Sequence, residues 1–217
     1  MAKKSRVYNK SSFGLTPGMQ GILVTCNRGR EKRAYDELVQ MIDLLEDEET
    51  VCQESLEDAM KQELKGLKKK NHQRVQLGED VQCFVFVKCI EPTELVLKLF
   101  KADLNFHPKF CQRLIPLERI CYANFEQLLD TARSFIPPNF KEDASFAVIF
   151  EKRLNDSLDR SIVTRSIAEF AKPSKVDLEN PKKVIMLQVL KNIVGMSVLE
   201  NYHAFKKMNI SEHFNKD

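Results

Sequence analysis

Lys175-Val176-Asp177-Leu178-Glu179-Asn180-Pro181, followed by Lys182-Lys183 and the run Val184-Ile185-Met186-Leu187-Gln188-Val189-Leu190, decides how this chain is read. Proline fixes its own φ and pushes the preceding residue out of the α region, so Glu179-Asn180-Pro181 reads as a turn between two short extended pieces. The second piece is β-branched and apolar at nearly every position. That pattern suits a strand covered on both faces, inside a sheet rather than on its surface. Lys182 and Lys183 stand at its mouth. Upstream, Phe146–Phe150 forms another strand and runs into Glu151-Lys152-Arg153; a helix carrying Arg160 and Arg165 follows, lined by Ile162, Val163, Ile167 and Phe170.

Outward from this stretch the chain alternates strands and helices. Gly18–Cys26 is a glycine-bounded strand, and Ala34, Leu38, Met41, Ile42 and Leu45 fall at helical spacing over about three turns. Residues 46–78 are polar, with a possible helix over Leu56–Leu67 ending in Lys68-Lys69-Lys70. Cys83–Cys89 is the next strand. Pro92 opens a helix at a position where its missing N–H costs nothing, and Phe110–Ile115 is a strand. In the second half Phe125, Leu128, Leu129, Ala132 and Ile136 mark a helix stopped by Pro137-Pro138. Strands at Lys175–Asp177, Lys183–Leu190 and Asn192–Val198 complete the set, and Tyr202, Phe205 and Met208 predict a short helix before a polar end. Strand, helix, strand, helix, strand with a polar insertion predicts an α+β layer of the ferredoxin-like kind in the first half.

Composition sets the limits. With 217 residues, 43% of them hydrophobic and 30% charged, the chain has the balance of one large or two small globular domains. No apolar run approaches the roughly 18 residues that span a bilayer. The basic start Met1–Arg6 lacks the apolar segment of a secretory signal, so the expectation is a soluble intracellular protein. The net charge of +3 does not by itself announce a nucleic-acid binder. The acidic residues are concentrated in Glu46-Asp47-Glu48-Glu49 and in Glu54, Glu57 and Asp58, which leaves the remainder distinctly basic. Six cysteines are dispersed without a CxxC pair or zinc-finger spacing, and read as buried thiols of a reducing compartment. Cys83 and Cys89 are expected on one face of one strand.

The order of elements from Phe146 through Val198, with Arg160 and Arg165 on the helix and Asn180-Pro181-Lys182-Lys183 at the turn, resembles the THUMP domain, an RNA-binding module of tRNA-modifying enzymes. Leu15-Thr16-Pro17-Gly18-Met19-Gln20-Gly21-Ile22-Leu23-Val24-Thr25-Cys26-Asn27 and Leu199-Glu200-Asn201-Tyr202 resemble the branch of non-catalytic tRNA-acetylation adaptors. The resemblance implies an α+β chain with a ferredoxin-like half followed by a THUMP α/β core. Its divisions would be a basic flexible arm at 1–14, a ferredoxin-like domain at 15–116 with its polar insertion at 46–78, a THUMP domain at 117–205, and a tail at 206–217. It implies an adaptor that presents tRNA to an RNA cytidine acetyltransferase for N4-acetylcytidine formation, in the nucleus or nucleolus or in the cytoplasm. Acetyl-CoA and ATP would belong to that partner, and no cofactor is expected here. Leu15–Cys26 or the acidic insertion is left, by elimination, as the partner's docking surface.

Catalytic signatures are missing. No GxGxxG follows a strand, no HxE precedes a PCxxC, and no GxSxG occurs. His107, four residues before Cys111, is the one pairing that resembles a base and nucleophile, and it reads more simply as a loop histidine beside a strand cysteine. RNA contacts are expected from Lys152, Arg153, Arg160, Arg165, Asn180, Lys182 and Lys183. Lys152 and Arg153 end a strand. Arg160 starts a helix whose free N–H groups favour phosphate, and Asn180 reaches a base edge or ribose hydroxyl from its turn. Arg160 and Arg165, five apart, do not share a helix face. Two rival readings are a degenerate THUMP methyltransferase or nuclease working through Cys111, His107 or scattered carboxylates, and a ribosome-biogenesis factor that prefers rRNA.

Overall fold

The structure is a computed structural model that describes residues 13–51, 72–102, 106–140 and 144–214. Residues 1–12 of the basic arm, the helix expected over Leu56–Leu67 and Lys68–Lys70 lie outside them. Among the described residues eight strands form two four-stranded sheets. The first contains β1 (Gly21–Cys26), β2 (Gln73–Val75), β3 (Phe84–Lys88) and β4 (Cys111–Leu117) in the order β2-β3-β1-β4, all antiparallel. The second contains β5 (Arg119–Tyr122), β6 (Phe146–Arg153), β7 (Lys183–Leu190) and β8 (Ile193–Glu200) in the order β5-β8-β7-β6; only β6 and β7 run parallel.

Helix α1 (Glu31–Val51) buries the predicted stripe Ala34, Leu38, Met41, Ile42 and Leu45. It runs well past the three turns expected, because glutamate is a good helix former. Helix α2 (Pro92–Lys101) starts at its proline and buries Val96, Leu99 and Phe100. On the second sheet, α3 (Phe125–Phe135) is capped by Asn124, whose side chain accepts from the N–H groups of Glu126 and Gln127; α4 (Arg160–Ala168) is capped by Asp159, which accepts from Ile162 N–H.

The doubly apolar β7 run is explained by its place. Val184, Met186 and Leu190 join the core of the first half, while Ile185, Leu187 and Val189 join the core under α3 and α4. One strand therefore serves two cores, and each fully buried aliphatic side chain is worth about 1.5–3 kcal/mol. Close approach of the halves needs Gly195: a Cβ there would sit 2.6 Å from a methyl carbon of Leu117. Residues 206–214, left by the sequence as a tail, pack on the first half. Met208 and Ile210 are buried, α5 (Ile210–Phe214) follows, and His213 Nε2 lies 2.8 Å from the Phe100 carbonyl.

Other boundaries differ from expectation. Lys175–Asp177 is not a full strand but a parallel bridge of Val176 to Phe146. Asp177 then turns its side chain inward to accept from the N–H groups of Glu179 and Asn180, building the turn before Pro181. Strand β4 runs through Pro116, which an edge strand tolerates. The chain then crosses into the second sheet at Glu118, making the short β5 that four residues with a charged start did not announce. Cys83 and Cys89 flank β3 instead of lying within it, and Cys83 has φ 68°.

Candidate nucleic-acid interface

Parallel pairing of β6 with β7 fixes where the expected RNA contacts sit. Phe146 is in register with Lys183 and Arg153 with Leu190. Lys152 and Arg153 therefore stand at one end of the sheet and Lys183 at the other, about 23 Å apart at ~3.3 Å per residue. The structure brings Lys152, Arg153 and Arg160 together and separates them from Asn180, Lys182 and Lys183. Arg165 is exposed partway along α4.

At the first end, a shallow groove of about 350 Å³ is lined by Phe150, Glu151, Lys152, Arg153 and Arg160. Arg160 is set by one hydrogen bond, its guanidinium donating to the Phe150 carbonyl at 2.9 Å on the outer edge of β6. This leaves its other N–H groups for a ligand. The loop joining β6 to α4 is folded by Asn155. Its Nδ2 donates to the Lys191 carbonyl at 2.6 Å, and its Oδ1 accepts from Ser157 and Leu158 N–H at 3.1 and 3.3 Å. Lys152 lies 3.9 Å from the fully exposed carboxylate of Asp156, a weak tether in water. Asp159 occupies one of the α4 amides that an anion would otherwise use.

At the second end the cations are less available. The Lys183 ammonium donates to the Asn139 carbonyl at 2.8 Å, pairs with Glu200 at 3.4 Å and lies 5.7 Å from the centre of the Phe140 ring. Lys182 is exposed, anchored only through its backbone N–H to Ser145 Oγ. Asn180 is exposed in the turn built by Asp177.

A larger cleft of about 910 Å³ lies between the halves, with Arg153 on its wall together with Arg113, Gln112, Glu151 and Asn209. Arg113 pairs with Glu151 at 3.8 Å across it. The sequence reading missed Arg113 and Asn209 because they come from distant segments and join only through an isolated bridge between them. His107 is exposed, whereas Cys111 is fully buried and donates its thiol to the Ala34 carbonyl at 3.1 Å. Burial, followed by the nearby Glu37 carboxylate, pushes that thiol far above its ordinary range. Cys111 is therefore no ready nucleophile, and Glu37 itself is spent on the backbone N–H groups of Lys109, Phe110 and Cys111. Among the described residues no cluster of His, Cys, Asp and Glu could hold a metal ion. No helix among them is long and apolar enough to cross a membrane.

The THUMP domain model matches residues 122–199, the segment that holds β6, α4, β7 and most of β8. An uncharacterised protein of Schizosaccharomyces pombe is 31% identical over 92% of this chain and 77% of its own length. THUMP domain-containing protein 1 of Homo sapiens is 28% identical over 91% of the chain, which spans 65% of the human protein. The tRNA acetyltransferase TAN1 of Saccharomyces cerevisiae is 26% identical over 97% of the chain and 90% of its own length. The chain belongs to this THUMP-domain family, one of whose members is named for tRNA acetylation.

Proposed function

We propose that this chain is a non-catalytic tRNA-binding adaptor that presents tRNA to an RNA cytidine acetyltransferase. The observation that carries the reading is the convergence of Lys152, Arg153 and Arg160 on one groove at the end of β6. Three cations on a rigid strand end and helix start can follow a phosphate backbone, giving affinity that weakens by roughly 0.7–0.9 log unit per log unit of salt for each phosphate neutralised. Arg165 on α4, and the exposed Asn180 and Lys182 at the far end of the sheet, would add contacts to a second part of a folded RNA, with Lys183, held by Asn139 and Glu200, the least of them. The family relationship, with a budding-yeast relative named for tRNA acetylation, supports tRNA as the RNA and an acetyltransferase as the partner. Adaptor action would consist of positioning, lowering the entropic cost of bringing a large RNA to a distant active site. The nucleus or nucleolus is the compartment that fits this work.

The ferredoxin-like reading of the first half belongs to the same proposal. The order β2-β3-β1-β4 with α1 and α2 as crossovers supports it, since it is the split βαβ arrangement. Binding of total tRNA, compared with a structured rRNA fragment of equal length at two salt concentrations, tests the function. The expected result is tighter tRNA binding that falls with salt and falls further with Arg153→Glu. Equal affinity for both RNAs, or preference for the rRNA fragment, would overturn the tRNA assignment. Binding of a methyl donor by the isolated chain would overturn the non-catalytic one.

A further inference from the structure

Three cysteines gather at one end of the first sheet. Cys26 closes β1 and is in register with Cys111 of β4. On its other flank Thr25 pairs with Phe84, so the next positions outward, Cys26 and Cys83, face each other; Cys26 N–H donates to the Cys83 carbonyl at 3.0 Å. One backbone hydrogen bond ties the two residues directly, while Cys83 gives its own N–H to Glu31. A disulfide needs their Cα atoms within roughly 4.4–6.8 Å of each other.

The three thiols are not equivalent. Cys111 is sealed, with its thiol bound to a carbonyl. Cys26 and Cys83 instead both line the 910 Å³ cleft, Cys83 half-buried and Cys26 nearly closed off behind it. Cys83 also holds φ 68°, an uncommon conformation for a residue with a Cβ. Two hydrogen bonds keep it there, one from Cys26 and one from its own N–H to the Glu31 carboxylate at 3.0 Å. Strained residues that their surroundings over-determine often mark sites with a role beyond packing.

We propose that Cys26 and Cys83 form an oxidation site, a cross-strand dithiol that a peroxide converts to an intramolecular disulfide at the cleft wall. The reaction begins at the more accessible sulfur. Cys83 Sγ attacks one peroxide oxygen; the O–O bond breaks, the departing hydroxide takes the Cys83 proton as water, and Cys83 becomes a sulfenic acid. Cys26 Sγ then attacks the Cys83 sulfur, the S–O bond breaks, and the departing hydroxide takes the Cys26 proton as water. Two thiols and one hydrogen peroxide give one disulfide and two waters. Burial, then Glu31 and Cys83, push the Cys26 thiol up to about 11, so it is not the sulfur that meets peroxide first. The site is independent of the RNA-binding reading.

The full chain treated with hydrogen peroxide, blocked with a maleimide and digested without reduction should yield a Cys26–Cys83 linked peptide that dithiothreitol cleaves. Cys83→Ser should abolish the link, and Cys111→Ala should leave it. Cys83 found as sulfinic acid beside an unlinked Cys26 would overturn the proposal, as would a Cys26–Cys111 link. Cys83 lies outside the strands, so its serine variant keeps the test valid even where Cys26→Ser fails to fold.

Discussion

The two ends of the β6–β7 pair carry similar residues and use them differently. At the C-terminal end of β6, Lys152 and Arg153 close the ladder with exposed side chains, and Arg160 spends one hydrogen bond on the Phe150 carbonyl while its remaining donors stay open. At the N-terminal end of β7, Lys183 gives its ammonium to Asn139 and Glu200, so a cation conspicuous in sequence is largely consumed by the fold. What separates them is the neighbouring chain. The β6–α4 loop leaves its carboxylates, Asp156 and Asp159, exposed or engaged in capping. By contrast, β8 places Glu200 in register with Lys183. A basic residue is available to a phosphate only where the fold has not already partnered it.

Charge reversal tests that difference most directly. Lys152→Glu with Arg153→Glu should lower tRNA affinity by more than about ten-fold and reduce the salt slope by about 1.5, the share of two phosphates. Lys182→Glu at the other end should cost about three-fold, since one exposed lysine supplies one contact. Filter binding at several salt concentrations measures both. Equal losses at the two ends would dissolve the distinction drawn here and make the whole sheet edge one binding surface.

A smaller effect is expected of a different kind at Lys183. Lys183→Met keeps the stem but removes the hydrogen bond to Asn139 and the pair with Glu200. With a quarter of the side chain exposed, solvent screening holds the expected loss to about 1 kcal/mol of stability. Chemical denaturation should register that loss, while tRNA affinity changes by less than about two-fold. A variant of unchanged stability and sharply weakened RNA binding would instead show Lys183 reaching the ligand.

Most of this architecture was legible because the sequence patterns follow from burial. The β7 run is apolar at nearly every position because it feeds two cores, and the α1 stripe and the Pro92 and Pro137-Pro138 boundaries follow from helical geometry and proline chemistry. What stayed hidden depended on register. The sequence reading did not pair β6 with β7, and only their parallel register puts Arg153 and Lys183 at opposite ends. The opposition of Cys26 to both Cys83 and Cys111 is likewise invisible along a chain where they lie far apart. The cleft joins Arg113, Glu151 and Asn209 from three segments, none distinctive alone.

Even at the groove end one cation is already taken, and pH can expose it. Lys191, whose N–H donates to the Arg153 carbonyl, places its ammonium 2.6 Å from Asp80 of the first half. The hydrogen bond from Lys191 holds the Asp80 carboxyl below the ordinary carboxylate value of 3.8. A depressed acid stabilises the fold fully above its unfolded value and loses that contribution as pH falls through the folded one. Acidification below about pH 4 should therefore lower the melting temperature of the native chain more than that of Lys191→Met. Some acid sensitivity should persist in the variant, because Glu31 is also held low, first by the N–H of Cys83. Parallel melting curves for the two proteins down to pH 2 would show that the Asp80–Lys191 pair contributes nothing across the cleft, and that Lys191 belongs with Lys152 and Arg153 among the free cations of this end.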